Sequence, residues 1–168
     1  LNVGVHMHFL ETPYQAVYAH KRFGTSAGTA LHNIGLLDDT TSLAHGVWAD
    51  EQDIDLFAKT KTTIVTNASS NLRLGSGVLP LMALAEQGVP LALGTDSMSL
   101  FGTDDMLAEM TLLQGLHRPV AHTNHWLSAY DALEMATVGG AKASTFADIG
   151  KLLPGYQADA VVLDMNAV

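Results

Sequence analysis

Cysteine is missing from all 168 residues, so a disulfide scaffold and any thiolate-based zinc site are excluded. Metal chemistry in this chain would have to use His, Asp and Glu. Basic residues are scarce, with 8 Lys and Arg against 17 Asp and Glu, a formal net charge of −9. A surface this acidic lacks the basic footprint that DNA, RNA or an anionic membrane requires of its partner. Long hydrophobic runs are also lacking: none approaches the roughly 20 residues that span a bilayer. Residues 1–9 have neither the basic start nor the small-residue cleavage site of a secretory leader. These absences leave a cytoplasmic location as the expectation.

What is present is an ordinary globular composition, 48% hydrophobic and 15% charged, long enough for one domain with a real core. The chain opens on Leu1 directly in a strand-like run and ends just after another, so it is expected to be a piece of a longer protein.

Short apolar runs alternate with helical stretches. Strands are expected over 3–10, 42–47, 63–67, 91–94 and 160–163. Helices are expected over 14–23, 26–34, from the cap Asp50 through Thr60, and over 79–87, 104–116 and 127–138, with a short one around Ala141. Residues 68–77 read as a polar loop. Strict alternation of strand and helix implies parallel strands joined by right-handed crossovers. Four such units fit half of a (β/α)8 barrel, and a flavodoxin-like open sheet fits the same rhythm. The flavodoxin-like reading needs a phosphate-cradling glycine loop after the first strand, and residues 8–13 offer none.

Three of the four helix-followed strands end in a metal-type or acid–base residue. The first gives His8 and then Glu11, the second His45, the fourth Asp96. Barrel enzymes carry their catalytic groups at these strand ends. Imidazole and carboxylate suit a divalent ion, and a nearby Glu can shuttle a proton. Each residue also has a plainer reading: Asp96 as a helix cap, Glu11 as a carboxylate at a helix start. His6 reads as a hydrogen-bonded core histidine or, with His8, as the two-His pair of a barrel's first strand. His20, His32, His117, His122 and His125 read as surface or structural, although the 117–125 loop offers a possible pocket wall.

Several stretches, taken in order, resemble the amidohydrolase superfamily. His6-Met7-His8-Phe9-Leu10-Glu11-Thr12 is similar to its fifth-strand motif, and Leu43-Ala44-His45-Gly46-Val47-Trp48 to its sixth. The run from Asn67 through Ser70-Asn71 to Gly77 is similar to the seventh-strand loop, and Leu93-Gly94-Thr95-Asp96 to the eighth-strand motif. The closing segment, Ile149-Gly150-Lys151-Leu152 and Gly155-Tyr156-Gln157-Ala158-Asp159, also resembles the family's. The set is closest to the branch of adenosine-derivative, guanine and cytosine deaminases and triazine hydrolases.

The resemblance implies an α/β fold. Residues 1–152 would form the C-terminal half of a (β/α)8 TIM-type barrel, strands five to eight with their helices, and 153–168 the start of a small accessory β segment. It implies one divalent metal, zinc first and iron as the alternative, with His8 and Asp96 as ligands beside a His-X-His pair on a first strand outside this chain. The ion makes hydroxide accessible at neutral pH. Asp96 would accept a hydrogen bond from the attacking water, His45 would hold that water or stabilise the oxyanion, and Glu11 would move the proton. Trp48, Asn67, Ser70 and Asn71 are the implied substrate contacts. The expected reaction is hydrolytic deamination of a purine, pyrimidine or triazine, with dechlorination of a triazine, or an inactive fragment, as alternatives. The expected partners are a small heterocyclic substrate and water, and a second copy or the missing N-terminal half of the barrel. Two departures bear on substrate: Thr66-Asn67-Ala68 stands where the family often has His-Asn-Pro, and Ser97 where Gly often follows the Asp.

Overall fold

The computed structural model describes residues 3–97, 104–118 and 127–164. Four parallel strands form one sheet in sequential order: β1 (Val5–Phe9), β2 (Thr41–His45), β3 (Thr63–Thr66) and β4 (Leu91–Leu93). Each crossover advances the sheet by one strand in the same direction. A doubly wound sheet reverses direction at a switch point, and no reversal occurs among these four strands. The register is unbroken between the first pair, from Val5 opposite Thr41 to Phe9 opposite His45. The ends of β1 and β2 therefore lie level, which sets His8 one residue from the row of His45.

The helices between the strands follow local signals. Helix α1 (Pro13–Phe23) starts on a proline in its first turn and stops at Gly24, whose φ of 70° provides the left-handed cap. The Gln15 side chain turns back to accept the Glu11 and Thr12 N–H groups at 2.6 and 3.2 Å, which fixes the path from β1 into the helix. Helix α2 (Ala27–Asn33) is capped by Ser26, and α3 (Glu51–Thr60) by a reciprocal pair of Asp50 and Asp53. Asp53 also accepts the Gly28 N–H at 2.8 Å and so ties α3 to the start of α2.

The core lies between the sheet and these helices. Leu43, Phe57, Ile64, Leu84 and Leu113 are completely buried in it. Phe9 meets Phe57 edge-on, 5.5 Å between ring centroids, a favourable aromatic geometry. On β1, Met7 and Phe9 join this core while His6 and His8 are exposed on the opposite face. That split follows from the two-residue period of a strand.

Beyond β3 the chain forms α4 (Ala68–Arg73), then α5 (Leu81–Glu86), β4, α6 (Met106–Leu116) and α7 (Ala129–Glu134). A π-helical turn, Met135–Gly139, continues α7 into α8 (Gly140–Ala143). A Cβ on Gly139 would run into the Leu91 carbonyl oxygen, so only glycine lets this helix lie so close on β4.

Two sequence expectations are corrected. Residues 68–77, read as a polar loop, contain α4. Ser and Asn favour turns in isolation, but tertiary hydrogen bonds here outweigh that preference. The strand expected over 160–163 does not form: residues 157–164 carry no strand, and Val161 and Val162 are exposed. A strand exists only through pairing, and none of the four strands lies beside this stretch. His122 and His125 lie outside the described residues.

Candidate metal centre

The C-terminal ends of β1, β2 and β4 bring His8, His45 and Asp96 together. One ligand atom from each lies within 4.8 Å of the others. Two ligands about 2.0–2.2 Å from one ion are separated by roughly 3–4 Å, so side-chain movements of about 1 Å would close these groups on a single ion. The His8 and His45 rings stack with 5.3 Å between centroids and 17° between planes. Glu11, two residues past the end of β1, reaches back so that Oε2 lies 3.9 Å from His45 Nε2.

The backbone supports this convergence at some cost. His45 and Asp96 have φ of 75° and 62°, and Leu10 has 44°. A left-handed conformation at a non-glycine residue costs about 1–3 kcal/mol and persists where the surroundings over-determine it. Just past β2, the Gly46 N–H donates to the Phe9 carbonyl at 2.8 Å and the Trp48 N–H to the Leu10 carbonyl at 3.0 Å. These bonds tie the turn carrying His45 to the turn carrying Glu11.

His45 is fully buried, and its two nitrogens differ. Nδ1 sits 2.8 Å from Asn71 Oδ1. A carbonyl oxygen accepts only, so Nδ1 carries the hydrogen and Nε2 keeps a lone pair. Nε2 has no partner among the protein atoms. A buried polar atom left unpaired is costly, and this one faces Glu11 within the cluster. The His8 imidazole and the Asp96 carboxylate are the donor types a borderline divalent ion takes, and the unpaired lone pair of His45 beside them is placed to accept from a water held there.

The other residues singled out from sequence fall into two groups. Trp48 and Asn67 flank the site. The Trp48 indole N–H donates to the Ser76 carbonyl at 2.8 Å while nearly half of the side chain stays exposed. Asn67 is buried, and its Oδ1 would lie 2.5 Å from a Cβ at Gly94, so this contact requires the glycine of Gly94-Thr95-Asp96. Ser70 and Asn71, expected at the substrate, are buried and bonded to site residues: the Ser70 hydroxyl donates to Asp96 Oδ2 at 2.5 Å, and Asn71 Oδ1 lies 2.8 Å from His45 Nδ1.

Away from the cluster, His6 Nδ1 is 2.7 Å from Ser42 Oγ, one pleat below His8. His20 is exposed, 3.9 Å from Asp50, and burial lowers the pKa of His117 below its usual 6.5. Ser76, unnoticed in the sequence, donates to Glu11 Oε1 at 3.4 Å. Nothing in a serine of a Gly-Ser-Gly run signals that contact.

The profile of the amidohydrolase family matches residues 1–167. A 5-methylthioadenosine/S-adenosylhomocysteine deaminase of Teredinibacter turnerae is 38% identical over 167 residues, 99% of this chain and 38% of the relative. A 5'-deoxyadenosine deaminase of Methanosarcina barkeri is 35% identical over 97% of this chain and 38% of its own length. Among solved structures, an adenosine deaminase from Xanthomonas campestris with bound zinc superposes with a TM-score of 0.86 at 34% identity, covering 93% of this chain and 36% of that one. A zinc complex of an atrazine chlorohydrolase from Arthrobacter aurescens also gives 0.86, at 30% identity over 94% of this chain and 35% of that one. The chain thus spans under two-fifths of the length of these relatives.

Proposed function

The chain belongs to the amidohydrolase family, and from that premise we propose that the protein containing it is a metal-dependent hydrolase that deaminates a nitrogen heterocycle. The observation that carries the reading is the convergence of His8, His45 and Asp96 at adjoining strand ends, with Glu11 beside them. His8 and Asp96 would hold one divalent ion, zinc first and iron as the alternative, with His45 alongside. Bound there, the ion would supply the Lewis acidity that lowers the pKa of water toward neutrality.

The chain's own residues account for the rest. Water adds across a ring C=N bond: its oxygen bonds to the carbon bearing the amine, one proton goes to the ring nitrogen, and the other leaves with the amine as ammonia. His45 Nε2, with its free lone pair, accepts a hydrogen bond from the attacking water, and Asp96 does the same from the other side. Glu11 delivers a proton to the ring nitrogen and carries the next to the amine. The buried side chains of Phe9 and Leu10 keep bulk water from beneath these groups. Trp48 and Asn67 are the proposed substrate contacts.

Within the whole protein, residues 1–152 are read as strands five to eight of a (β/α)8 barrel, and residue 153 onward as the start of an accessory segment. An apolar groove of about 530 Å³ beside β1, walled by Tyr14, Tyr18 and Phe23, suits packing against the rest of such a barrel or a second copy. No helix among the described residues is long and apolar enough to cross a membrane, and a cytoplasmic location goes with the proposed chemistry.

The relatives point to adenosines altered at the 5' position as the first substrates to try. The experiment is an ammonia-release assay on the full-length, zinc-loaded protein with such adenosines, guanine, cytosine and an aminotriazine. Ammonia from any of them supports the reading. The chlorohydrolase likeness favours one alternative, chloride release from a chlorotriazine, and chloride without ammonia would replace deamination by dechlorination. Neither product from any substrate would overturn both.

A further inference from the structure

Three consecutive residues of α4 reach three separate parts of the molecule. The Ser69 N–H donates to Glu109 Oε1 on α6 at 2.9 Å. The Ser70 hydroxyl donates to Asp96 Oδ2 beyond β4 at 2.5 Å. Asn71 Oδ1 accepts from His45 Nδ1 at the end of β2 at 2.8 Å. Ser70 is 0% exposed, Asn71 1% and Glu109 4%, while Ser69 is half-buried.

We propose that α4 is a positioning platform for the metal centre, in which Ser70 fixes the Asp96 carboxylate and Asn71 fixes the tautomer and orientation of His45. Ser70 and Asn71 are on this account positioning residues and make no contact with substrate. The proposal rests on the metal-centre reading above and adds what holds that centre in shape.

The chemistry of each bond supports the assignment. An O–H donated to a carboxylate is a short, charge-assisted bond. With Oδ2 so engaged, the carboxylate cannot rotate freely, although Asp96 itself is exposed. With Asn71 Oδ1 facing it, Nδ1 carries the hydrogen; the tautomer with hydrogen on Nε2 would require the amide to turn over and present Nδ2. The lone pair is thereby aimed into the cluster. Groups that hydrogen-bond to metal-binding residues in this way set their orientation and basicity.

Asn71 is also a poor residue for packing alone. Its Nδ2 is buried with no partner. An apolar side chain of similar volume would remove that unpaired donor, so a purely structural role would favour leucine there. The asparagine is explained by what its oxygen does for His45. Glu109 anchors the assembly: a carboxylate at a helix start offsets the positive end of the peptide dipoles, and it fixes the short helix at the residue before Ser70.

The test uses the full-length protein and three measurements: the zinc dissociation constant by chelator competition, the urea midpoint of the metal-free protein, and the nitrogen-15 spectrum of the His45 ring without metal. In the wild type the spectrum should show hydrogen on Nδ1. Asn71→Leu should abolish that preference while leaving the urea midpoint unchanged or raised. Ser70→Ala should weaken zinc binding about 10- to 100-fold. Hydrogen on Nε2 in the wild type, or a Ser70→Ala variant with lowered midpoint and unchanged zinc affinity, would overturn the platform. A wild type that binds no zinc would defeat the metal reading instead, and the tautomer of His45, read without metal, would still decide the role of Asn71.

Discussion

Glu11 Oε2 lies 3.9 Å from His45 Nε2, a buried nitrogen with no hydrogen-bond partner of its own. The gap is too long for a direct hydrogen bond. A carboxylate that approaches an unpaired lone pair without bonding to it is placed to serve something between or beside them. Glu11 is held there by its own N–H, taken by Gln15, and by the Ser76 hydroxyl on Oε1.

Glu11→Gln keeps the size and the polar contacts of the side chain but removes the transferable proton. The full-length variant should retain its metal and lose turnover by a factor on the order of 10²–10⁴. Elemental analysis beside an ammonia-release assay checks this. Undiminished turnover would remove the proton-transfer role.

Asp96→Asn should lose metal and turnover together, because a neutral amide is a poorer ligand and has only one oxygen left to serve both the ion and the Ser70 hydroxyl. Full metal content with full activity in this variant would exclude Asp96 from the site.

Asp53 predicts a pH dependence of stability. Burial raises its pKa above the usual 3.8, helped by the nearby Asp50 charge and opposed by hydrogen bonds from Ser26, Gly28 and Asp50. For a carboxyl raised in the folded state, the stabilisation is complete below the unfolded value and is lost as pH rises through the folded one. Asp53→Asn removes this titration. Urea midpoints taken from about pH 4 to about pH 7 should therefore shift in favour of the variant as pH increases. A difference that stays flat, or moves toward the wild type, contradicts the assignment.

Gly139→Ala tests the packing of the C-terminal helix on the sheet. Its methyl group would meet the Leu91 carbonyl, a backbone atom that cannot swing aside. Overpacking of this kind costs about 1–3 kcal/mol. A fall in the urea midpoint of that order is expected, and an unchanged midpoint would mean the π-helical turn yields without cost.

Much of this arrangement was legible in the sequence, for definite reasons. The alternation of β and α runs reports the parallel sheet because each element must bury one face. His8, His45 and Asp96 stood out because strand ends are where a barrel places chemistry, and the three do converge. Other features were hidden. Helix α4 is built from Ser and Asn, whose local preference is for turns, and it is fixed by Glu109 some 40 residues further on. That distance also hid the bonds of Ser70 to Asp96 and of Asn71 to His45, two residues that the resemblance implied as substrate contacts. The apolar run at 160–163 reads as a strand by composition, but composition cannot supply a pairing partner. The π-helical turn leaves no periodic signal apart from Gly139.

On the proposed reading, one divalent ion sits between His8 and Asp96, with His45 alongside. The most direct measurement is an anomalous-scattering map, collected at the zinc edge, from crystals of the full-length protein grown with zinc. A single strong peak is expected at the ends of β1, β2 and β4, about 2.0–2.2 Å from a His8 ring nitrogen and an Asp96 carboxylate oxygen. No peak among these residues, or a zinc peak bound elsewhere in the barrel with His8 and Asp96 free, would contradict it.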